Sequence, residues 1–257
     1  MERTHLVEAA STCCANGERL LDAIEYLDST SQRATCVALA TIAQEEFAKA
    51  FLLILVARNV IAWNKFIYRA TRDHTCKQLL GIVMDYINPE DDWERSMAWF
   101  EEHKKRTALL DAYKSTSDYD ERQTIWRQLE AFAVRDSLLP RSVADSINIF
   151  RYEKIGRWES SGSEWEELQA YDETAKQVAA GKLDRAKQDA LYVRLGKDGS
   201  VASSPFSAEG QDGLAAIQMA KRLRDLASRL LTHPGSGGIE YGKAESAFRA
   251  VFGTDGT

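Results

Sequence analysis

From Ala38 the sequence runs ALATIAQEEFAKAFLLILVARN, an apolar stretch that fits a helix buried in a bundle better than anything else. Up to Arg58 only Glu45, Glu46 and Lys49 break it with charge. The most hydrophobic run, Ala50 to Ala57, is about one-third of what a membrane span needs before Arg58 and Asn59 end it. It therefore predicts a core helix, not a span. Small residues at Ala34, Ala38, Ala40 and Ala43 let a neighbouring backbone approach, which puts this helix, expected from about Ser31 to Asn59, at the centre of the fold.

The rest of the chain supplies helices to surround it. Thr4 to Leu27 has helical spacing of Leu6, Ala10, Cys13, Leu20 and Ile24, with Thr4 as its expected cap and Gly17 as an expected bend or close helix contact. The short polar link after it predicts a helical hairpin with the second helix. Ile61 to Tyr68 reads as a further helical stretch, and periodicity resumes after Arg69 until Asn88-Pro89. Asp91 to Tyr113, Asp118 to Leu139 and Ser142 to Trp158 follow as amphipathic helices. Ser160 to Ser163 reads as a turn, with a capping box at Ser163 and Glu166. Residues 191–204 are expected to form a short β-ribbon or extended loop that turns at Gly196 to Gly199. Helices at Leu214 to Leu231 and about Lys243 to Phe252 finish the chain. Only four prolines in 257 residues agree with an all-α class. The expected organisation is one helical domain, with a core of about 4–88 plus 183–232 and a helical elaboration at about 90–160. Asn88-Pro89 and Ser160 to Ser163 are its candidate boundaries.

Several functions lose their usual support. A net charge of −6 argues against a protein that grips nucleic acid over its whole surface, so any such contact needs a local basic patch. Cys13, Cys14, Cys36 and Cys76 lack paired zinc-site spacing and read as reduced thiols of a cytosolic protein. No secretory leader is visible in Met1 to Asp22. The phosphate-cradling loop, the dinucleotide fingerprint, the zinc-protease helix and the nucleophile elbow are all missing from the sequence.

A local basic patch does occur. Lys65, Arg69, Arg72 and Lys77 stand against Asp73 alone among the acidic residues of that segment, and His74 lies among them. Glu45 and Lys49 are four apart and can pair on one helical face; Glu46 lies closer to the core face and needs a partner, which Arg69, Arg72 or Lys77 could supply. The plain reading is a solvated Glu-Glu-x-x-Lys face. The functional one joins an arginine, which binds phosphate bidentately, to a histidine that moves a 2′-hydroxyl proton near neutral pH. A third reading gives Glu45 and Glu46 a metal ion. The mixed-charge run Glu101 to Arg106 reads as a solvated face.

The order of these features resembles one family. ALATIAQEEFAKAFLL, then Trp63-x2-Phe66, then RDHTCK with its His-x2-Lys, is similar to the AbiV abortive-infection proteins. The downstream run RAKQDALYVRLGKDGSVASSP resembles that family's Arg/Lys-x-x-Ala-Leu-Tyr-Val segment and Pro-bearing loop. The resemblance implies a helical bundle related to the HEPN (higher eukaryote and prokaryote nucleotide-binding) proteins, many of them dimeric, metal-independent ribonucleases with an Arg-x4-6-His motif. It implies a phage-defence toxin that halts growth or translation, with RNA as substrate, no cofactor, no membrane association, and an activator or inhibitor of phage or host origin. Carried onto this chain, Arg69 and His74 fit Arg-x4-His, while Glu45, Glu46, Lys49 and Lys77 fit the charged helix and His-x2-Lys. Arg72 and Lys65 are expected to bind substrate. Ala70 stands where many HEPN nucleases have a polar residue, which leaves open Arg69 as the catalytic arginine, Arg72 in its place, or a site that is not nucleolytic. A non-catalytic protein that blocks translation or phage components by docking is the competing expectation.

Overall fold

The computed structural model describes residues 2–27, 32–88, 93–137, 139–160, 171–192, 194–195, 200–203, 213–233 and 238–253. The chain divides into two units, Met1–Asn88 with Arg141–Thr257, and Pro89–Pro140. The first boundary coincides with Asn88-Pro89. The second means that the segment expected as an elaboration is divided, its last helical stretch belonging with the larger unit.

In the larger unit, α1 (Arg3–Glu25) lies against α2 (Arg33–Ala57). The expected cap Thr4 is already inside α1, whose N-cap is Glu2, with no side-chain cap bond. Gly17 of α1 lies against the Phe47 ring of α2: a Cβ there would be 2.6 Å from it. Such a distance allows no side chain unless Phe47 moves. Phe47, Phe51, Leu52 and Leu55 are fully buried, each worth about 1.5–3 kcal/mol of burial. The left-handed Asn59 follows the end of α2, a conformation that asparagine tolerates.

Two side-chain caps then place the next elements. Asn64 accepts hydrogen bonds from the backbone N–H of Phe66 and Ile67, so α3 is confined to Lys65–Ala70. The expected helix from Ile61 therefore begins four residues late, because Asn64 turns the chain. Asp73 accepts from the N–H of Cys76 at 2.8 Å and starts α4 (His74–Ile87). In the smaller unit, α5 (Trp93–Ser115) and α6 (Tyr119–Ser137) pack as a pair, with Ile125 and Leu129 buried and the Tyr113 and Trp126 rings 5.8 Å apart.

Back in the larger unit, α7 (Arg141–Asn148) passes into a π-helix over Ile149–Gly156 and ends in the short α8 (Arg157–Glu159). The sequence expectation of one regular helix misses this widened stretch, since its apolar residues suit either winding. The expected capping box at Ser163 and Glu166 lies outside the described residues, as does most of the Ser160 to Ser163 turn. The next described helix, α9 (Glu173–Ala179), is capped by Asp172, which accepts from the Thr174 N–H. Next comes α10 (Lys182–Leu191). The ribbon pairs β1 (Arg194–Leu195) with β2 (Val201–Ser203) in antiparallel register; its expected turn at Gly196 to Gly199 lies outside the described residues. Then α11 (Gly213–Thr232) packs on α2, where Gln44 donates to the Ala216 carbonyl and Arg58 to that of Leu230. The last helix, α12 (Gly238–Phe252), starts earlier than Lys243 and places Phe248 against Phe51 and Phe150. Among the described residues no helix is long and apolar enough to cross a membrane.

Candidate functional site

The buried charges converge on Glu45. Its side chain is only 3% exposed, in the middle of α2 where α4 and α10 also pack. Lys77, on α4, lies 3.0 Å from Oε2, and Lys187, on α10, lies 2.8 Å from Oε1. Gln78 donates to Oε1 at 3.2 Å. His74 places Nδ1 2.6 Å from Oε2, while half of its side chain remains exposed. One carboxylate thus accepts from two helices, α4 and α10, that are far apart in sequence.

These contacts fix the electrostatics. Burial pushes the Glu45 carboxyl up, but the hydrogen bond from Lys187, the charge of Lys77 and the hydrogen bond from His74 outweigh it and hold it below the ordinary glutamate value. Lys187 shows the mirror effect: burial lowers it, hydrogen bonds to Glu45 and Asp184 raise it, and the net shift is upward. Asp184 lies 2.9 Å from the Lys187 ammonium and gives it a second carboxylate. An ionised Glu45 can only accept, so the His74 Nδ1 facing it carries the hydrogen, and Nε2 is the nitrogen left for other partners. Lys187 approaches the same Nδ1 to 3.1 Å, a second cationic group beside the ring.

The structure rearranges the expected pairings. Lys49 bonds Glu46 at 2.8 Å, three residues back, and not Glu45. Glu46 is the more exposed of the two glutamates, so the residue expected nearest the core is its neighbour instead. The reason is that α4 and α10 present their lysines to the Glu45 side of α2. The Cys13 thiol, pushed up by burial, is influenced by both Lys49 and Lys77, so the Glu46–Lys49 pair neighbours the main cluster without joining it. Arg69 stacks on the Trp158 ring at 4.4 Å and, with Arg72, lines a surface hollow beside Tyr68 and Asp73. Lys65 lies over the Phe66 ring at 4.9 Å. The expected single cleft is therefore two adjoining features, a buried carboxylate cluster ending at His74 and an exposed arginine surface on the α3–α4 turn.

Lys187 was not among the expected site residues. It is the Lys of the Lys187-x-x-Ala190-Leu191-Tyr192-Val193 run already singled out, and its place at the head of that run was the available signal. The metal reading fares differently. Glu46 turns to Lys49, and the groups that do converge are Glu45, His74 and Asp184, with ligand atoms within 4.8 Å. Two ammonium groups already occupy hydrogen-bonding positions on Glu45, so a divalent ion there would face two positive charges at close range.

No curated protein and no solved structure matches the chain. The family model HEPN_AbiV, described as AbiV, matches residues 5–225 and so takes in α2, both motifs on α4 and α10, and every residue of the Glu45 cluster. The Glu-Glu-x-x-Lys helix, the His-x2-Lys of α4 and Lys187 at the head of the Ala-Leu-Tyr-Val run meet at Glu45, and this chain belongs to the AbiV family of HEPN-type abortive-infection proteins.

Proposed function

We propose that the chain is a metal-independent endoribonuclease toxin that arrests growth in infected bacteria. The observation that carries this reading is His74, whose Nδ1 is bonded to the buried Glu45 while its ring stands half exposed, directly after Asp73 in the wall of the hollow that Arg69 and Arg72 line. In the reaction, His74 Nε2 takes the proton of an RNA 2′-hydroxyl as that oxygen bonds to phosphorus. The bond from phosphorus to the 5′-oxygen breaks, and that oxygen takes a proton. A homodimer brings a second His74 to deliver this proton and doubles the basic surface, which is thin in one copy. Arg69 or Arg72 binds the phosphoryl oxygens as charge builds on them. Glu45 holds the ring in one tautomer and orientation, and Lys77 and Lys187 keep Glu45 ionised. A cell that carries such a toxin needs an activator or inhibitor that releases it only on infection.

The test is expression of wild type and His74→Ala in bacteria, with growth and RNA integrity followed under phage challenge. The proposal expects arrest and RNA with 2′,3′-cyclic phosphate ends from wild type alone, and the purified protein should cleave in excess chelator. Equal arrest by both chains, or intact RNA throughout, would overturn it. The smaller unit favours the second reading, docking: Tyr119 and Trp126 of α6 are exposed aromatic residues of a kind that anchors protein contacts. Protection by an Arg69→Ala, His74→Ala double variant that captures a stable partner would favour docking.

A further inference from the structure

The hollow on the α3–α4 turn holds more than the chemistry at His74 uses. It measures about 420 Å³, within the range that holds a nucleotide-sized ligand, and is lined by Tyr68, Arg69, Arg72 and Asp73. Tyr68 is 52% exposed, so its ring is open to an incoming group. Among the described residues neither arginine has a carboxylate partner within ion-pair distance, although the chain carries more acidic than basic residues. Two of the lining side chains are held from outside the hollow by tryptophans. Trp63 meets Tyr68 edge to face at 6.3 Å, and Trp158 carries the Arg69 guanidinium on its ring at 4.4 Å. The π-helix and its last turn deliver Trp158 to that position. Asp73 is tied to the Cys76 N–H and to the start of α4, so the wall next to His74 is fixed too.

An exposed aromatic ring and two guanidiniums without carboxylate partners are what a single-stranded nucleotide needs, since the base stacks and the phosphates take the arginines. We propose that this hollow is the subsite for the nucleotide next to the scissile phosphate, with Tyr68 as its stacking platform and Arg72 on the flanking phosphate. Trp63 and Trp158 are positioning residues. This inference rests on the ribonuclease reading and names where its substrate lies. It also assigns a purpose to Trp63, the first residue of the Trp-x2-Phe run.

The test uses the full chain with His74→Ala, so that RNA is bound and not cut, and a fluorescent single-stranded octaribonucleotide as probe. Adding Tyr68→Ala should weaken binding by roughly 5-fold or more, while Tyr68→Phe keeps it. Arg72→Gln should reduce the dependence of log Kd on log salt by about 0.7, one phosphate contact on a single strand. Trp158→Ala should weaken binding and Trp158→Phe restore it, the mark of a ring that holds Arg69. If wild type cleaves RNA but Tyr68→Ala binds as tightly as Tyr68→Phe with an unchanged salt slope, the subsite is elsewhere and the nuclease reading stands. If wild type leaves RNA intact and the His74→Ala chain binds none, both fall.

Discussion

The Glu45 cluster and the Tyr68–Arg72 hollow lie next to each other in sequence at Asp73-His74 yet solve opposite problems. In the cluster, charge is buried, so every group must have a partner: one carboxylate meets two ammonium groups, an amide and an imidazole. In the hollow, charge is exposed, and two arginines can remain without a carboxylate because water solvates them. The difference separates tasks. Buried pairs fix geometry and are costly to break; exposed cations are free to meet an anion from outside. His74 belongs to both, with Nδ1 on the cluster and the rest of its ring at the surface.

The largest effect should come from the residue shared by the two. His74→Ala should lower RNA cleavage by about 10²–10⁴-fold while thermal melting moves little, because Lys77, Lys187 and Gln78 still hold Glu45. Melting that collapses together with activity would make His74 part of the buried support instead. Glu45→Ala should instead cost about 3–5 kcal/mol, measured by denaturant unfolding, because it leaves Lys77 and Lys187 buried without their shared carboxylate. Lys187→Met should cost less, about 1.5–3 kcal/mol, since Lys77 still holds Glu45. An effect as large as that of Glu45→Ala would show that Lys77 is no substitute.

The pH dependence follows from the same charges. Glu45 lies below its unfolded value, so its contribution to stability is present above that value, near pH 4.3, and disappears as pH falls through the lower folded value. Lys187 lies above its unfolded value, so its contribution is present below about pH 10.4 and disappears as pH rises through the folded one. Unfolding of Glu45→Gln followed from pH 6 to pH 2 should therefore show a flatter acid limb than wild type; identical limbs would mean that Glu45 is not ionised in the fold. The smallest effect belongs to the neighbouring glutamate. Glu46→Gln breaks only a partly exposed pair with Lys49 and should shift stability by about 0–1 kcal/mol.

That contrast between consecutive glutamates shows where sequence reasoning stops. The helical fold, the central α2 and the Gly17 contact were legible, because they follow from periodicity and residue size. Which of Glu45 and Glu46 enters the core was not. α2 is buried on almost every side, so its own pattern has no polar face from which to rank them, and the choice depends on α4 and α10. Lys187 is 142 residues from Glu45 and enters through a helix that buries no other charged residue. The expected helix from Ile61 missed the cap at Asn64, and regular periodicity concealed the π-helix before Trp158, so neither the start of α3 nor the Arg69 stack could be read in advance.

What links the buried cluster to the surface is the hydrogen on His74 Nδ1. Long-range proton–nitrogen NMR of ¹⁵N-histidine-labelled protein reads that tautomer directly, and His74→Ala assigns the signal. The Nδ1–H form in wild type, lost in Glu45→Gln, is the predicted result. An Nε2–H form in wild type, or the same tautomer in both chains, would contradict the claim that Glu45 sets the nitrogen His74 presents to RNA.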